Sequence, residues 1–167
     1  MDWETMLSDN TSYSAGDSLT LSSGGGWTTA EPAPVSYERF RSIVSEEMDL
    51  LPQYVFDELT GGVLVEKKSR LSPDSVADDL FILGLYTWSG LGKQVTLFYG
   101  SFLEVIGKAG EEVYRARIRE TLRHEFLHHM ETQAGMFGKG SLLEEDERRR
   151  QRYLQARRGQ EKGEENR

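Results

Sequence analysis

The most restrictive feature of this sequence is an uninterrupted helical pattern over residues 111–134, a run that contains neither glycine nor proline. Because neither helix-breaking residue interrupts it, the run predicts a single helix of about six turns. One face of this helix is an apolar stripe made of Ile118, Leu122, Phe126 and Met130. We therefore expect the helix to pack this stripe against the rest of the domain.

The opposite face of the same helix carries the motif His124-Glu125-x-x-His128. Helical residues four apart differ by about 40° around the axis, so the two imidazoles converge and can hold one metal ion. The H-E-x-x-H spacing is typical of zinc hydrolases, in which one coordination position is left for water and the glutamate acts as the general base. The motif predicts His124 and His128 as Zn²⁺ ligands and Glu125 as the catalytic residue of a hydrolase.

All three histidines of the chain lie in this one segment, at positions 124, 128 and 129. In an acidic protein with so little histidine, this clustering favours a metal site over chance. His129 falls about 140° from His124 around the helix axis, which places it within the apolar stripe. We therefore expect His129 to be a packed or hydrogen-bonded core residue and not a metal ligand.

Two other classes of protein stay open, because an H-E-x-x-H string also occurs in helices that bind no ion. The first is a non-catalytic metal-binding or protein-interaction module, which would keep the helix and the ion but lack a cleft open to substrate. The second is a small helical domain without metal. An exposed fourth coordination position separates the hydrolase from the first alternative, and the zinc content of the purified protein separates it from the second.

A catalytic zinc site with two histidines needs a third protein ligand, and the carboxylates that follow the motif are the candidates. They are Glu131 on the same helix and Glu144, Glu145 and Asp146 on the next predicted helix. Three ligands from one straight helix would crowd a tetrahedral ion. An antiparallel neighbour, reached through a turn at residues 135–141, closes the coordination sphere more easily. Glu131 would then support another ligand or face the substrate.

Composition divides the chain into three parts. Residues 1–35 hold 17 Ser, Thr, Gly or Pro residues and no Lys or Arg. They predict a disordered tail, because such a segment buries too little apolar surface to offset its ordering entropy. Residues 36–158 carry most of the apolar pattern and form the predicted domain. Residues 159–167 are predicted to be a frayed, charged C-terminus.

Apolar periodicity and turn residues predict further elements within the domain. Helical patterns cover residues 36–51, 55–59, 101–106 and 144–156. Strand patterns cover residues 63–65, 80–86 and 95–99. A turn at residues 90–93 separates the last two strands, which are therefore predicted to form a hairpin.

The charge balance argues against nucleic acid or an anionic membrane as the main partner, because both require a basic face. The chain has 20 basic and 28 acidic residues, a formal net charge of −8. It has no cysteine, which excludes disulfides and a thiolate nucleophile. The longest apolar stretch, residues 80–88, is far shorter than the roughly 20 residues that a membrane helix needs. Since the N-terminus does not resemble a secretory signal, we expect a soluble, cytoplasmic protein.

From about residue 35 to residue 157, the sequence resembles the small bacterial zincin-like metallopeptidases, also called minimal zincins. The stretches that carry the resemblance are residues 51–52, 56–63, 80–86, 97–102, 121–131 and 145–146. The resemblance implies a compact α+β fold, in which a small mixed sheet packs on the long H-E-x-x-H helix and a following helix bears an acidic residue. It also implies a zinc-dependent peptidase that acts on a peptide or protein substrate.

The sequence departs from the family pattern directly after the motif. Other members have glycine at the position of Glu131 and an acidic pair soon afterwards, whereas a longer segment here precedes the pair Glu145-Asp146. The resemblance ranks Asp146 first as the third ligand, followed by Glu145 and Glu131.

The resemblance also bears on where a substrate would bind. In zincin-type sheets an edge strand often lines the cleft, and the strand at residues 95–99 is the one expected to pair with a substrate backbone. The candidate oxyanion donors are Tyr86, Tyr99 and Arg123.

Overall fold

The structure, a computed structural model, describes residues 34–165, with the side chains of residues 34–160. The predicted N-terminal tail, except for its last two residues, lies outside the described residues. In chain order the elements are α1 (Tyr37–Asp49), a 3₁₀ turn (Gln53–Phe56), β1 (Gly62–Glu66), β2 (Gly84–Ser89), β3 (Gly92–Phe98), α2 (Tyr99–Ile106), α3 (Glu111–Gln133) and α4 (Leu142–Glu165). The expected α+β class is confirmed.

The three strands form a mixed sheet in the order β1-β3-β2. Strand β3 pairs in parallel with β1 and antiparallel with β2, so the predicted hairpin is present. Because β3 is the central strand, the prediction that residues 95–99 form the edge strand beside the cleft is wrong. Hairpin patterning shows that β2 and β3 are neighbours, but it carries no information on the long-range pairing with β1 that covers the second edge of β3.

Strand β2 begins later than the apolar pattern at residues 80–86 suggests. The backbone at residues 80–82 pairs instead with the preceding loop, where Ser72 N–H donates to Leu80 O and Ile82 N–H donates to Arg70 O, both at 2.8 Å. The regular ladder with β3 starts only at Gly84. An apolar run alone does not distinguish these two partners, because it carries no information on which segment pairs with it.

The core lies between the sheet and helices α1 and α3. It contains the predicted apolar stripe of α3, in which Ile118 and Leu122 are at most 1% exposed. Aromatic rings fill the centre, and Phe40 contacts the Tyr99 and Phe102 rings at centroid distances of 5.3 and 4.8 Å. This packing fixes the rotation of α3, so the side of α3 opposite the core is the one turned towards α4.

A buried ionic cluster joins α1 to α3. Glu47 is 3% exposed and accepts hydrogen bonds from two arginines of α3. Arg115 Nη1 lies 3.1 Å from Glu47 Oε1, and Arg119 Nε lies 2.7 Å from Glu47 Oε2. Both carboxylate oxygens are thus paired, which offsets the cost of burying the charge.

Helix α4 is longer than its sequence pattern predicts, since it continues past residue 156 to Glu165. Side chains of α4 also contact the loop before β2: Arg150 Nε lies 2.6 Å from Asp74 Oδ2, and the Tyr153 hydroxyl lies 2.8 Å from Asp79 Oδ1. These contacts connect α4 to the loop before β2. Within the described residues 34–165, no helix is both long and apolar enough to cross a membrane.

Candidate metal centre

Two helices bring three potential metal ligands together. Helix α3 presents His124 and His128 one turn apart, with ring centroids 4.9 Å from each other. Helix α4 directs Asp146 between them, so that its Oδ2 lies 3.1 Å from His124 Nε2 and 2.8 Å from His128 Nε2. The three ligand atoms all lie within 4.8 Å of one another. This His124–His128–Asp146 group could hold a metal ion.

The donor set suits a divalent ion with an open coordination position. In a tetrahedral site with metal–ligand bonds of about 2.0–2.1 Å, ligand atoms are about 3.3–3.4 Å apart. The Nε2–Oδ2 separations are a few tenths of an ångström shorter, so a small outward movement of Asp146 accommodates an ion. The His124 and Asp146 side chains are 29% and 35% exposed, and that of His128 is 12% exposed. All three side chains are therefore partly accessible to solvent.

The electrostatics of the group favour a charged carboxylate facing the two imidazoles. Burial alone raises the pKa of the Asp146 carboxyl, but its hydrogen bonds with His124 and His128 outweigh burial and hold the pKa below its usual range. Conversely, the hydrogen bond to Asp146 raises the pKa of His124 despite partial burial of the ring. Asp146 is thus ionised near neutral pH, as a metal ligand must be.

Glu125 lies on the same helix and contacts the edge of the sheet. Its side chain is buried, with 6% of the residue exposed. Its Oε2 accepts the backbone N–H of Tyr86 at 2.8 Å. Burial raises the pKa of the Glu125 carboxyl, while the nearby His124 and His128 and the N–H of Tyr86 oppose that rise. A carboxyl with a raised pKa, held beside a metal site, is suited to take up a proton and release it again.

The contact between Tyr86 and Glu125 depends on a glycine that sequence reasoning did not identify as part of the site. A Cβ at Gly84 would lie 2.5 Å from Thr121 Cγ2 and 3.0 Å from Glu125 Cγ. Only glycine therefore lets β2 approach α3 closely enough for this hydrogen bond. A glycine inside an apolar strand pattern was the available signal, because such glycines mark close backbone approach.

The other candidate ligands point elsewhere. Glu131 accepts the backbone N–H of Leu142 at 2.9 Å and so holds the first residue of α4. Glu145 pairs with Arg149 one turn along α4, and Glu144 accepts the N–H of Gly140 at 2.5 Å. None of these three carboxylates belongs to the group that could hold an ion.

His129 is a core residue, as predicted, and is fully buried. Its Nε2 donates to the carbonyl of Asp57 at 2.7 Å, and its Nδ1 accepts the hydroxyl of Tyr86 at 3.2 Å. The Tyr86 side chain is therefore engaged with the core-facing side of α3. The imidazole of His129 thus links β2 to the loop that follows the 3₁₀ turn, although these two segments are distant in sequence.

Of the three candidate oxyanion donors, Tyr99 lies outside the site, so its prediction as a donor is wrong. Its hydroxyl donates to the carbonyl of Val35 at 2.7 Å, within the core. Arg123 lies on α3 directly before His124 and is partly buried. Aromatic residues next to strands are common in cores, so their position in sequence does not separate a packed hydroxyl from a catalytic one.

Comparison with known proteins gives an informative relative among the solved structures. No protein-family model and no curated protein matches the chain. A solved structure, described as a conserved hypothetical protein from Thermus thermophilus, is 33% identical in sequence with a TM-score of 0.52. The match covers 60% of this chain and 98% of the Thermus chain, so almost the whole of that protein is represented here. The chain belongs to the same family as this Thermus protein.

Proposed function

We propose that this protein is a zinc-dependent metallopeptidase in which His124, His128 and Asp146 bind Zn²⁺ and Glu125 is the general base. The observation that carries the proposal is the position of Asp146, whose Oδ2 lies within 3.1 Å of Nε2 of both histidines of an H-E-x-x-H helix. Two imidazoles and one carboxylate, with an open side, form the donor set of zinc hydrolases.

Zinc is proposed over other divalent ions on the chemistry of the donors. Imidazole nitrogen suits zinc and other late transition metals, whereas magnesium and calcium prefer oxygen ligands throughout. When bound, zinc supplies a Lewis acid that lowers the pKa of a coordinated water and polarises a carbonyl group.

The residues around the metal group then have separate tasks. Asp146 and the two histidines hold the ion, and the N–H of Tyr86 orients the carboxylate of Glu125. Glu125 takes the proton of the attacking water and passes it to the leaving amine, for which its raised pKa is favourable.

Strand β2 is the edge that a peptide substrate would pair with, in place of the central β3. Leu83 O accepts the N–H of Phe98 at 2.9 Å, on the side of β2 that faces β3. Backbone groups alternate in direction along a strand, so those of Tyr86 and Trp88 point away from β3. The hydrogen bond from the N–H of Tyr86 to Glu125 requires the same direction. Among the described residues no strand pairs with this outer side of β2. Because Glu125 accepts the outward N–H of Tyr86, an extended peptide added there would pair with Trp88 and lie beside Glu125.

The test compares two substitutions in the full chain. Glu125→Gln preserves an acceptor for the N–H of Tyr86, so it is expected to retain one zinc per chain and lose peptide hydrolysis. His124→Ala is expected to lose both. Zinc is measured by elemental analysis of untagged protein, and hydrolysis with a broad mixture of fluorogenic peptides. Wild-type turnover in Glu125→Gln would contradict the mechanism.

The burial of Glu125 favours one alternative function, a non-catalytic metal-binding or protein-interaction module. A base that is 6% exposed must be uncovered before it can meet substrate. This alternative predicts zinc bound with wild-type stoichiometry and no hydrolysis of any peptide in the mixture. Detectable hydrolysis that depends on both zinc and Glu125 would exclude it.

A further inference from the structure

Two exposed aromatic rings stack across the end of the proposed peptide-binding edge. Trp88, near the end of β2, and Phe137, in the loop between α3 and α4, have ring centroids 6.5 Å apart and planes 8° from parallel. Both rings remain open to solvent, since Trp88 is 63% and Phe137 is 53% exposed. The neighbouring Met136 is also 54% exposed. Together with Met136, the pair presents apolar side chains to solvent.

The chain connects this pair to the His124–His128–Asp146 group on both sides. Trp88 follows Tyr86 by two residues on the same strand, so both side chains lie on one face of β2. Tyr86 contacts Glu125 through its N–H, and Phe137 belongs to the loop that leads from His128 to Asp146. The stacked rings therefore join the edge strand to the segment between the two ligand-bearing helices.

We propose that Trp88 and Phe137 form an apolar subsite that receives an aromatic or large aliphatic side chain of an extended peptide bound along β2. The inference rests on the proposed peptidase function and names its substrate class. The side chain would lie against the two rings while the peptide backbone pairs with the outward N–H and C=O of Trp88.

The charges nearby favour an apolar occupant over an acidic one. Lys93 stands opposite Trp88 in the β2–β3 pairing, and its amino group lies 3.1 Å from Glu58 Oε2. This cation is therefore already paired and is not presented to a ligand over the rings. An acidic side chain placed on two aromatic faces would lose hydration without gaining a partner.

The experiment uses short, dye-labelled alanine–serine peptides that carry Phe, Leu, Ala or Glu at one position, with that position moved along the peptide. Binding is measured by fluorescence anisotropy to zinc-loaded, full-length Glu125→Gln protein, and turnover is measured with wild-type protein. Trp88→Ala and Phe137→Ala test the subsite, and Trp88→Phe keeps an aromatic ring there. Leu91→Ala is the matched control, because Leu91 is a fully exposed apolar residue at the hairpin turn outside the stacked pair.

We expect peptides with Phe or Leu at one position to bind about tenfold more tightly than those with Ala or Glu. This preference should be lost in Trp88→Ala and Phe137→Ala, and retained in Trp88→Phe and Leu91→Ala. Binding without preference, a preference unchanged by both alanine variants, or no binding of any peptide would overturn the subsite. Selective binding without turnover would support the subsite and contradict the proposed peptidase function. Turnover without any preference among the peptides would support the peptidase function and contradict the subsite.

Discussion

The carboxylate of Glu131 accepts the backbone N–H of Leu142, and this hydrogen bond ties the end of the histidine-bearing helix to the first residue of α4. Asp146 follows one turn later on α4. Glu131 therefore sets where α4 begins and, through it, how Asp146 meets the two histidines. Sequence analysis left two possible roles for Glu131, as a third ligand or as a support for another ligand, and its contact with α4 suits the second, with Asp146 as the candidate ligand.

Replacing Glu131 with alanine should weaken metal binding although no ligand is removed. Loss of a partner that orients a ligand commonly reduces metal affinity by about 10- to 100-fold. Loss of a helix cap costs about 1 kcal/mol of stability. Zinc affinity, measured by competition with a chromogenic chelator, is expected to fall in Glu131→Ala. Glu145→Ala is the control, since Glu145 pairs with Arg149 in an exposed position and does not belong to the His124–His128–Asp146 group. An equal loss in both variants would contradict the positioning role.

Zinc should stabilise the folded protein, and Asp146 should be required for that effect. A ligand that binds only the folded state adds about 2.7 kcal/mol at a free concentration 100 times its dissociation constant. We expect the melting temperature of wild-type protein to rise with added zinc and to fall on chelation with EDTA. Asp146→Ala is expected to lose most of this response, while Glu145→Ala keeps it. A full zinc response in Asp146→Ala would remove this residue from the site.

Asp146 faces the two histidines whereas the adjacent Glu145 does not, and this difference shows what the sequence determines and what it leaves open. Local periodicity was enough to predict α3, its apolar stripe and the position of His129, because these depend on residues within one helix. Adjacent acidic residues on α4 differ by about 100° around the helix axis, so one of them can face α3. Which one does depends on where α4 starts, and the Glu131–Leu142 hydrogen bond between separate elements is one of the contacts at that start. The central position of β3 is likewise a long-range property.

Introducing a side chain at Gly84 should separate β2 from α3. The added Cβ of Gly84→Ala would lie 2.5 Å from Thr121 Cγ2, which forces the strand or the helix to move. Overpacking of this kind costs about 1–3 kcal/mol. We expect lower stability in urea denaturation, and reduced turnover because the Tyr86–Glu125 hydrogen bond is disturbed.

Two further variants isolate the steric cause. Thr121→Ser removes the methyl group in question, so it should recover part of the stability lost in Gly84→Ala when the two are combined. Gly90→Ala is the control within the same hairpin, since a Cβ there would have no neighbour within 4 Å. If Gly90→Ala were as destabilising as Gly84→Ala, the close approach to α3 would not be the reason.

Acidification should weaken the junction between α1 and α3 through Glu47. Although burial raises the pKa of this carboxyl, its hydrogen bonds from Arg119 and Arg115 outweigh burial and hold the pKa below its ordinary value of 4.5. A carboxyl whose pKa is lower in the folded than in the unfolded state stabilises the fold at pH values above its ordinary pKa. It loses that contribution as the pH falls through the lower pKa of the folded state. The loss should therefore begin below about pH 4.5 and continue towards more acidic values.

Glu47→Gln isolates this contribution. At pH 7 the substitution is expected to lower the free energy of unfolding by about 2 kcal/mol, because two arginines lose a buried anionic partner. Glu120→Gln is the matched control on an exposed pair with Arg117 and should cost no more than about 0.5 kcal/mol. Urea denaturation at a series of pH values measures the difference between wild type and Glu47→Gln. That difference should shrink as the solution is made more acidic, because a protonated Glu47 resembles glutamine. A difference that stays constant from pH 7 down to the acid limit of folding would show that packing, and not the charge of Glu47, holds α1 against α3.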